Sequence, residues 1–178
     1  ERGSNGKIRA ASFAREGNVP FFGICLGMQM AVIEYARNVK GMSKANSTEM
    51  DPECKVAIID LMESQKNITD KGGTMRLGAW DCVLASDSML NQVYSTQEIS
   101  ERHRHRYEFN DSYREQLFDN DFKIAGWNPE TKLVEIIENK NHAWFVGVQF
   151  HPEYKSTVSN PHPLFAAFVG AALKHSRT

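Results

Sequence analysis

Cysteine is scarce in this chain. Three cysteines in 178 residues, Cys25, Cys54 and Cys82, are odd in number and widely spaced. They make no disulfide framework and no paired zinc-ligand motif, a usage that suits a reducing compartment, so the cytoplasm is the expectation. Strong net charge is also lacking. At −1 the chain has no global attraction to nucleic acid or to an anionic membrane. No apolar run is long enough to span a bilayer: residues 19–33 and 164–173 are too short or too interrupted. There is no signal peptide, internal repeat, low-complexity tract or linker, and no initiator methionine. The opening "ERGSNGKIRAA" reads as the continuation of something longer.

What is present is ordinary for a globular domain: 41% apolar and 24% charged residues, at a length that supports one full core. Residues 7–16 carry Ile8, Ala11 and Ala14 at helical spacing, with Gly17 as a stop. Residues 21–24 form a short apolar strand after Pro20, and 26–39 a helix. Residues 40–55 read as a polar surface loop, 56–59 as a strand, and 64–74 as a loop containing "DKGG". Residues 75–84 alternate as a strand or hairpin arm, and 88–94 suit a short helix. A second short helix is expected at 112–119. Strands follow at 122–127 and 133–138 around the turn "NPETK", then at 143–150. A closing amphipathic helix at 163–174 has proline in its first turn. Helices interleaved with strands predict a layered α/β domain, parallel early and with an antiparallel extension in the middle.

Cys25 sits in "PFFGICLGMQ", between the first strand and the helix that follows. The unpaired N–H groups and dipole of a helix start favour an anion there, and hence the thiolate. Gly23 and Gly27 flank it, as in the nucleophile elbow of serine hydrolases. A buried structural thiol is the competing reading. Cys54 and Cys82 have no such context and read as structural. A cysteine nucleophile needs a base and a group that orients it. "VGVQFHPEY" offers His151 at a strand end with Glu153 two residues on, the same side in extended backbone. A lone strand-end histidine with a solvated glutamate is the commoner arrangement; the coincidence with the elbow favours chemistry, since such sheet edges are where α/β sites form.

These residues carry a resemblance. "GICLGMQ" with "QFHPEY" resembles the class I, or triad, glutamine amidotransferases. The stretches "ANSTEM", "GTMRLGAW", "ERHRHRYEFN", "LVEIIE" and "HPLFAAFV" resemble the amidotransferase domain of the CTP synthase family, over essentially the whole chain. The resemblance implies a three-layer class I amidotransferase fold, flavodoxin-like. Its central sheet is mostly parallel with an antiparallel extension, and its first strands lie upstream of residue 1. Residues 1–178 are then a partial amidotransferase domain, without the synthetase domain that binds ATP and UTP. By the same resemblance, Cys25, His151 and Glu153 are the catalytic triad. Leu26, Gly27, Met28 and Gln29 line the glutamine pocket, Glu49 meets the α-amino group and Arg106 the α-carboxylate of L-glutamine.

The full enzyme of that family aminates UTP to CTP with ATP, Mg²⁺ and glutamine, with GTP as activator. The partners implied are glutamine, the chain's own synthetase domain, which receives the ammonia, and further copies in a homotetramer. No metal or cofactor is expected in this stretch, and no nucleic acid or membrane partner. A glycine-rich loop just upstream supplies the family's second oxyanion donor, so the chain alone is expected to show little glutaminase activity. Two other functions remain to be separated: a γ-glutamyl peptidase of the same superfamily, and a non-catalytic module. The run Arg102–Arg106 could suggest phosphate or RNA binding, and His103 with His105 a metal. The run is short and bracketed by Glu101 and Glu108, and no third ligand is apparent. It is expected instead to shape the pocket and the contact with the synthetase domain.

Overall fold

The computed structural model describes residues 3–61 and 75–177; the loop expected at 64–74 lies outside the described residues. Helix α1 (Ser4–Glu16) buries the stripe Ile8, Ala11 and Ala14. It ends where the Gly17 N–H closes on the Phe13 carbonyl at 2.9 Å. Strand β1 (Phe21–Ile24) and helix α2 (Leu26–Asn38) follow. Every residue of α2 from Met28 to Ala36 is buried, because the helix lies between α1 and the sheet. Arg15 fastens the two helices. Its guanidinium donates to the Glu34 carboxylate at 2.8 to 3.1 Å, and the Asn38 amide adds a bond of 3.0 Å. Glu34 is fully buried, a position a carboxylate holds only when paired and hydrogen-bonded.

Beyond α2 come β2 (Ala45–Ser47), β3 (Val56–Leu61), β4 (Arg76–Leu84), α3 (Leu90–Tyr94), β5 (Glu98–His105) and β6 (Tyr107–Phe109). The chain then runs through α4 (Arg114–Leu117), β7 (Phe122–Trp127), β8 (Val134–Asn139), β9 (Phe145–Val148) and α5 (Pro163–His175). Six strands form one sheet in the order β1-β9-β8-β7-β4-β5, and β2-β3-β6 form a second. Successive residues of β8 and β9 point to opposite faces. Ile137 and Phe145 pack with α1 and α2, while Ile136, Val146 and Val148 pack with Leu90 of α3 and Leu164 of α5. The three layers follow from that alternation. Gly147 lets α2 lie close, since a Cβ there would come within 2.8 Å of Ile137 and 3.0 Å of Met28.

The expected α/β class is what forms, but the balance of strand directions differs from a mostly parallel sheet. Within the six-stranded sheet of the described residues only β1·β9 is parallel; β4·β5, β4·β7, β7·β8 and β8·β9 are antiparallel. The connections at 128–133 and 140–144 are too short for the crossover that parallel neighbours require. In the small sheet β2·β3 is parallel and β3·β6 antiparallel. The loop expected at 40–55 contains β2. Strands β5 and β6 lie outside the expected elements, because their inward side chains include Glu101, His103, His105 and Glu108, which hide the apolar alternation of a half-buried strand.

The sheet curls until β5, its far edge, meets the chain beyond β9. The His151 N–H donates to the Arg102 carbonyl at 2.8 Å, and the Lys155 ammonium donates to the Ser100 carbonyl. Among the described residues no helix is long and apolar enough to cross a membrane.

Candidate active site

Cys25 is the hinge between β1 and α2. It takes φ 49° and ψ −103°, a region that non-glycine residues rarely occupy and that persists only where the surroundings enforce it. Two features enforce it here. The Cys25 N–H is held by the Val148 carbonyl at 2.7 Å, and the Cys25 carbonyl accepts from the Gln29 N–H at 3.2 Å as the first turn of α2. Gly23 is obligatory: a Cβ would stand 2.7 Å from the Gly27 carbonyl carbon and 2.9 Å from the Met28 nitrogen. Gly27 has open space around it, so of the two flanking glycines only Gly23 makes the turn possible. The thiol is presented at the start of a helix, where unpaired N–H groups and the dipole favour negative charge.

The parallel register Ile24↔Val148 puts the chain beyond β9 beside this turn. His151 lies there, at the entry to a 3₁₀ turn over Pro152–Lys155. Its Nδ1 meets the Glu153 carboxylate at 2.5 Å. Nε2 is buried and, among the described residues, has no hydrogen-bond partner. A carboxylate on Nδ1 fixes the tautomer that leaves Nε2 as the proton acceptor.

A cavity of about 210 Å³ opens beside the thiol. It gathers Cys25, Leu26, Gln29, Glu49 and Arg106, all candidates from the sequence. It adds Arg104 and His105, which belong to the run expected to shape the pocket, Tyr107 beside them, and Met75 from the "GTMRLGAW" stretch. The Met28 side chain turns into the core. Met28, Gly27, His151 and Glu153 are not among the lining residues. Along β5, Arg102 and Arg104 are exposed while His103 and His105 are buried, and Arg104 reaches the mouth of the cavity. The histidine rings meet each other, Nδ1 to Nε2, at 2.8 Å. Among the described residues no group of three His, Cys, Asp or Glu is placed to hold a metal ion.

Behind the cavity lies a buried ionic cluster. The Arg76 guanidinium is 2.6 Å from Glu135 and 3.6 Å from Glu108, and stacks 4.5 Å from the centre of the Trp80 ring. His103 lies 3.5 Å from Glu135, and His105 3.6 Å from Glu108. Burial, reinforced by the Arg76 charge, pushes His103 down to about 2 and His105 down to about 3, so both rings are neutral. Burial pushes Glu108 up to about 8 against the pull of Arg76. Between the ordinary carboxyl value of 4.5 and about 8 the folded chain holds the Glu108 proton and the unfolded chain does not, so this residue's contribution to stability is lost as pH rises. Glu108→Gln carries no such proton. From pH 5 to pH 8.5 the parent is expected to lose roughly 3 kcal/mol more stability than the variant, read from urea midpoints followed by tryptophan fluorescence. Equal pH slopes for the two would refute the assignment.

Residues 1–171 match the family profile described as glutamine amidotransferase class-I. The chain belongs to the class I glutamine amidotransferases. Within that class it is 64% identical over 176 residues to a CTP synthase of Christiangramia forsetii, and 58% identical over 173 residues to one of Flavobacterium johnsoniae. Those alignments cover 99% and 97% of this chain and 32% of each relative, so the chain spans about a third of the length of the curated relatives it matches. A solved Trypanosoma brucei CTPS glutaminase domain with bound acivicin superposes with a TM-score of 0.91 at 41% identity, covering 98% of this chain and 67% of that one. A glutamine amidotransferase from Thermotoga maritima shares the fold at 17% identity and a TM-score of 0.50, covering 84% of this chain and 47% of that one.

Proposed function

We propose that this chain is the glutamine-hydrolysing part of a CTP synthase, releasing ammonia from L-glutamine for the ATP-dependent amination of UTP. The observation that carries the proposal is the Cys25 elbow beside a cavity lined by one carboxylate, Glu49, and two arginines, Arg104 and Arg106, with the hydrogen-bonded His151–Glu153 pair just beyond the end of β9, the strand that pairs with β1. Glu49 and Arg106 give that cavity the opposite charges that a free amino acid needs at its α-amino and α-carboxylate groups. A γ-glutamyl peptide carries the same two groups, but its further residues need additional room. Protection of the thiol by one or the other separates the two substrates.

The chemistry follows from the placement. In this reading the Cys25 thiolate attacks the side-chain amide carbon, and the negative charge passes to the amide oxygen, which the Leu26 N–H at the head of α2 receives. His151, protonated at Nε2 after taking the thiol proton, returns that proton to the departing nitrogen. Ammonia leaves and a γ-glutamyl thioester remains on Cys25. His151 then takes a proton from water, hydroxide attacks the thioester, and the thiolate departs with release of glutamate. Glu153 holds the imidazole and balances its transient charge. Gln29 and the backbone of residues 26–28 flank the substrate's side chain in this reading. ATP, Mg²⁺, UTP and GTP are assigned to no residue of this chain; the ammonia acceptor, the synthetase part and the tetramer belong to the same proposal.

A glutamine-shaped alkylating agent tests it. In the full-length protein the agent is expected to modify Cys25 far faster than Cys54 or Cys82. Free glutamine protects Cys25 at concentrations where a γ-glutamyl peptide does not. Protection by the peptide alone would favour the peptidase reading, and absence of any selective labelling would remove the catalytic one. Cys82 is a built-in control: burial raises its thiol well above the ordinary range.

A further inference from the structure

Gln149 is fully buried at the end of β9, between the elbow and His151, and the reaction steps given so far leave it no task. Its side chain reaches the nucleophile, with Nε2 3.6 Å from Cys25 Sγ. Amide nitrogen and oxygen are told apart by their partners, and here the partners decide. Gln29 Nε2 lies 2.8 Å from the Tyr107 carbonyl, which only accepts, so that atom is the nitrogen. The same nitrogen lies 3.2 Å from the second amide, which must therefore present its oxygen. The remaining Gln149 atom, the one facing sulfur, is the N–H donor. A chain of bonds thus runs from the Tyr107 carbonyl through Gln29 and Gln149 to Cys25. The Gln149 backbone is fixed too, its N–H donating to the Glu135 carbonyl at 2.8 Å.

We infer that Gln149 is a further residue of the glutaminase reaction: its carboxamide donates a hydrogen bond to the Cys25 thiolate, with Gln29 and the Tyr107 carbonyl as positioning groups that hold the amide in that orientation. The inference rests on Cys25 being the nucleophile. A donor to sulfur favours the thiolate over the thiol, since hydrogen bonds to the charged form are the stronger. It acts twice per turnover, on the attacking thiolate and on the thiolate leaving the γ-glutamyl thioester. It is weaker on the thioester itself, whose sulfur carries no charge. The arrangement also explains why an amide, rather than an apolar side chain, ends an otherwise apolar strand. It ties the "RHRHRYEFN" segment, through Tyr107, to the nucleophile.

The test reads the thiol directly and does not depend on glutamine turnover. Cys25 alkylation by iodoacetamide is followed against pH in the full-length protein by peptide-resolved mass spectrometry. Gln149→Met keeps the volume and removes the donor. Its apparent Cys25 pKa is expected to rise by about one unit, with alkylation near neutral pH slowed roughly tenfold. Other charged groups around the thiol stay in place: Glu49, Arg104, Arg106, His151 with Glu153, and Glu135 behind. Gln29→Met frees the amide to turn and is expected to slow alkylation about threefold, and to add nothing in the Gln149→Met background, because its effect passes through Gln149. An unchanged profile for Gln149→Met, or equal effects of Gln29→Met in both backgrounds, overturns the inference. If Gln149→Met does not fold, Gln29→Met alone decides: a shifted profile supports it and an unshifted one overturns it. Glutamine protection of Cys25 in the parent is scored separately, so failure of the nucleophile assignment is distinguishable from failure of the Gln149 assignment.

Discussion

Cys25→Ala in the full-length protein is expected to lower glutamine-dependent CTP formation by roughly 10⁴-fold or more, while CTP formation from added ammonia stays near the parent rate. The split follows from where the thiol sits. It is the only group at the β1–α2 turn able to form the thioester, and alanine at φ 49° keeps a conformation that the Val148 carbonyl and the Gly23–Gly27 contact already enforce. The fold and the cavity are therefore retained and only the bond-forming atom is lost. Parallel assays with glutamine and with ammonium chloride check this. Survival of both activities would end the catalytic reading, and loss of both would show that the alanine disturbs more than the nucleophile.

The largest stability effect is expected at Arg76. The guanidinium, 1% exposed, is the cation set between Glu135 and Glu108, which are 0% and 3% exposed. Arg76→Met leaves the buried Glu135 and Glu108 carboxyl groups without it, and removes the stack on Trp80. Breaking one side of a buried pair in this way costs about 3–5 kcal/mol. Arg76→Lys keeps the charge but not the fork that spans both acids, so about half that loss is expected. Thermal or urea unfolding of the domain measures both. Because His105 joins this cluster to the cavity wall, the lysine variant is also expected to raise the glutamine KM more than it lowers kcat. A methionine variant as stable as the parent would show that the cluster contributes specificity rather than stability.

How far the sequence reveals this depends on the residue. Phe21–Ile24 is legible to the residue, since Pro20 opens it and the elbow closes it. Helices α1, α2 and α5 are legible from their apolar spacing. β5 is not: its inward positions carry Glu101, His103 and His105, whose burial depends on Arg76, Glu135 and His162, far away in sequence. Patterns over a short window cannot register such partners. Likewise Cys25 and His151 are marked locally, each by its own turn, whereas Glu49 and Arg106 are reached only through family likeness. Both line one cavity with Cys25. Gln149 hides inside an apolar run. Its one local signal is a polar side chain two residues before His151, on the same side of an extended backbone, which invites the question of what it is bonded to.

The parallel pairing of β1 with β9 has a consequence for how the chain acquires its chemistry. Cys25 and Gln149 are 124 positions apart, and every other pairing in the large sheet joins strands closer in sequence. Closing that loop carries the largest entropic penalty of the set. Local hairpins such as β7·β8 can form without it, and a chain caught at that stage holds its thiol and its imidazole on separate, unjoined segments. On the proposed function, hydrolytic competence is a property of the closed topology alone, and an incompletely folded chain is expected not to split glutamine.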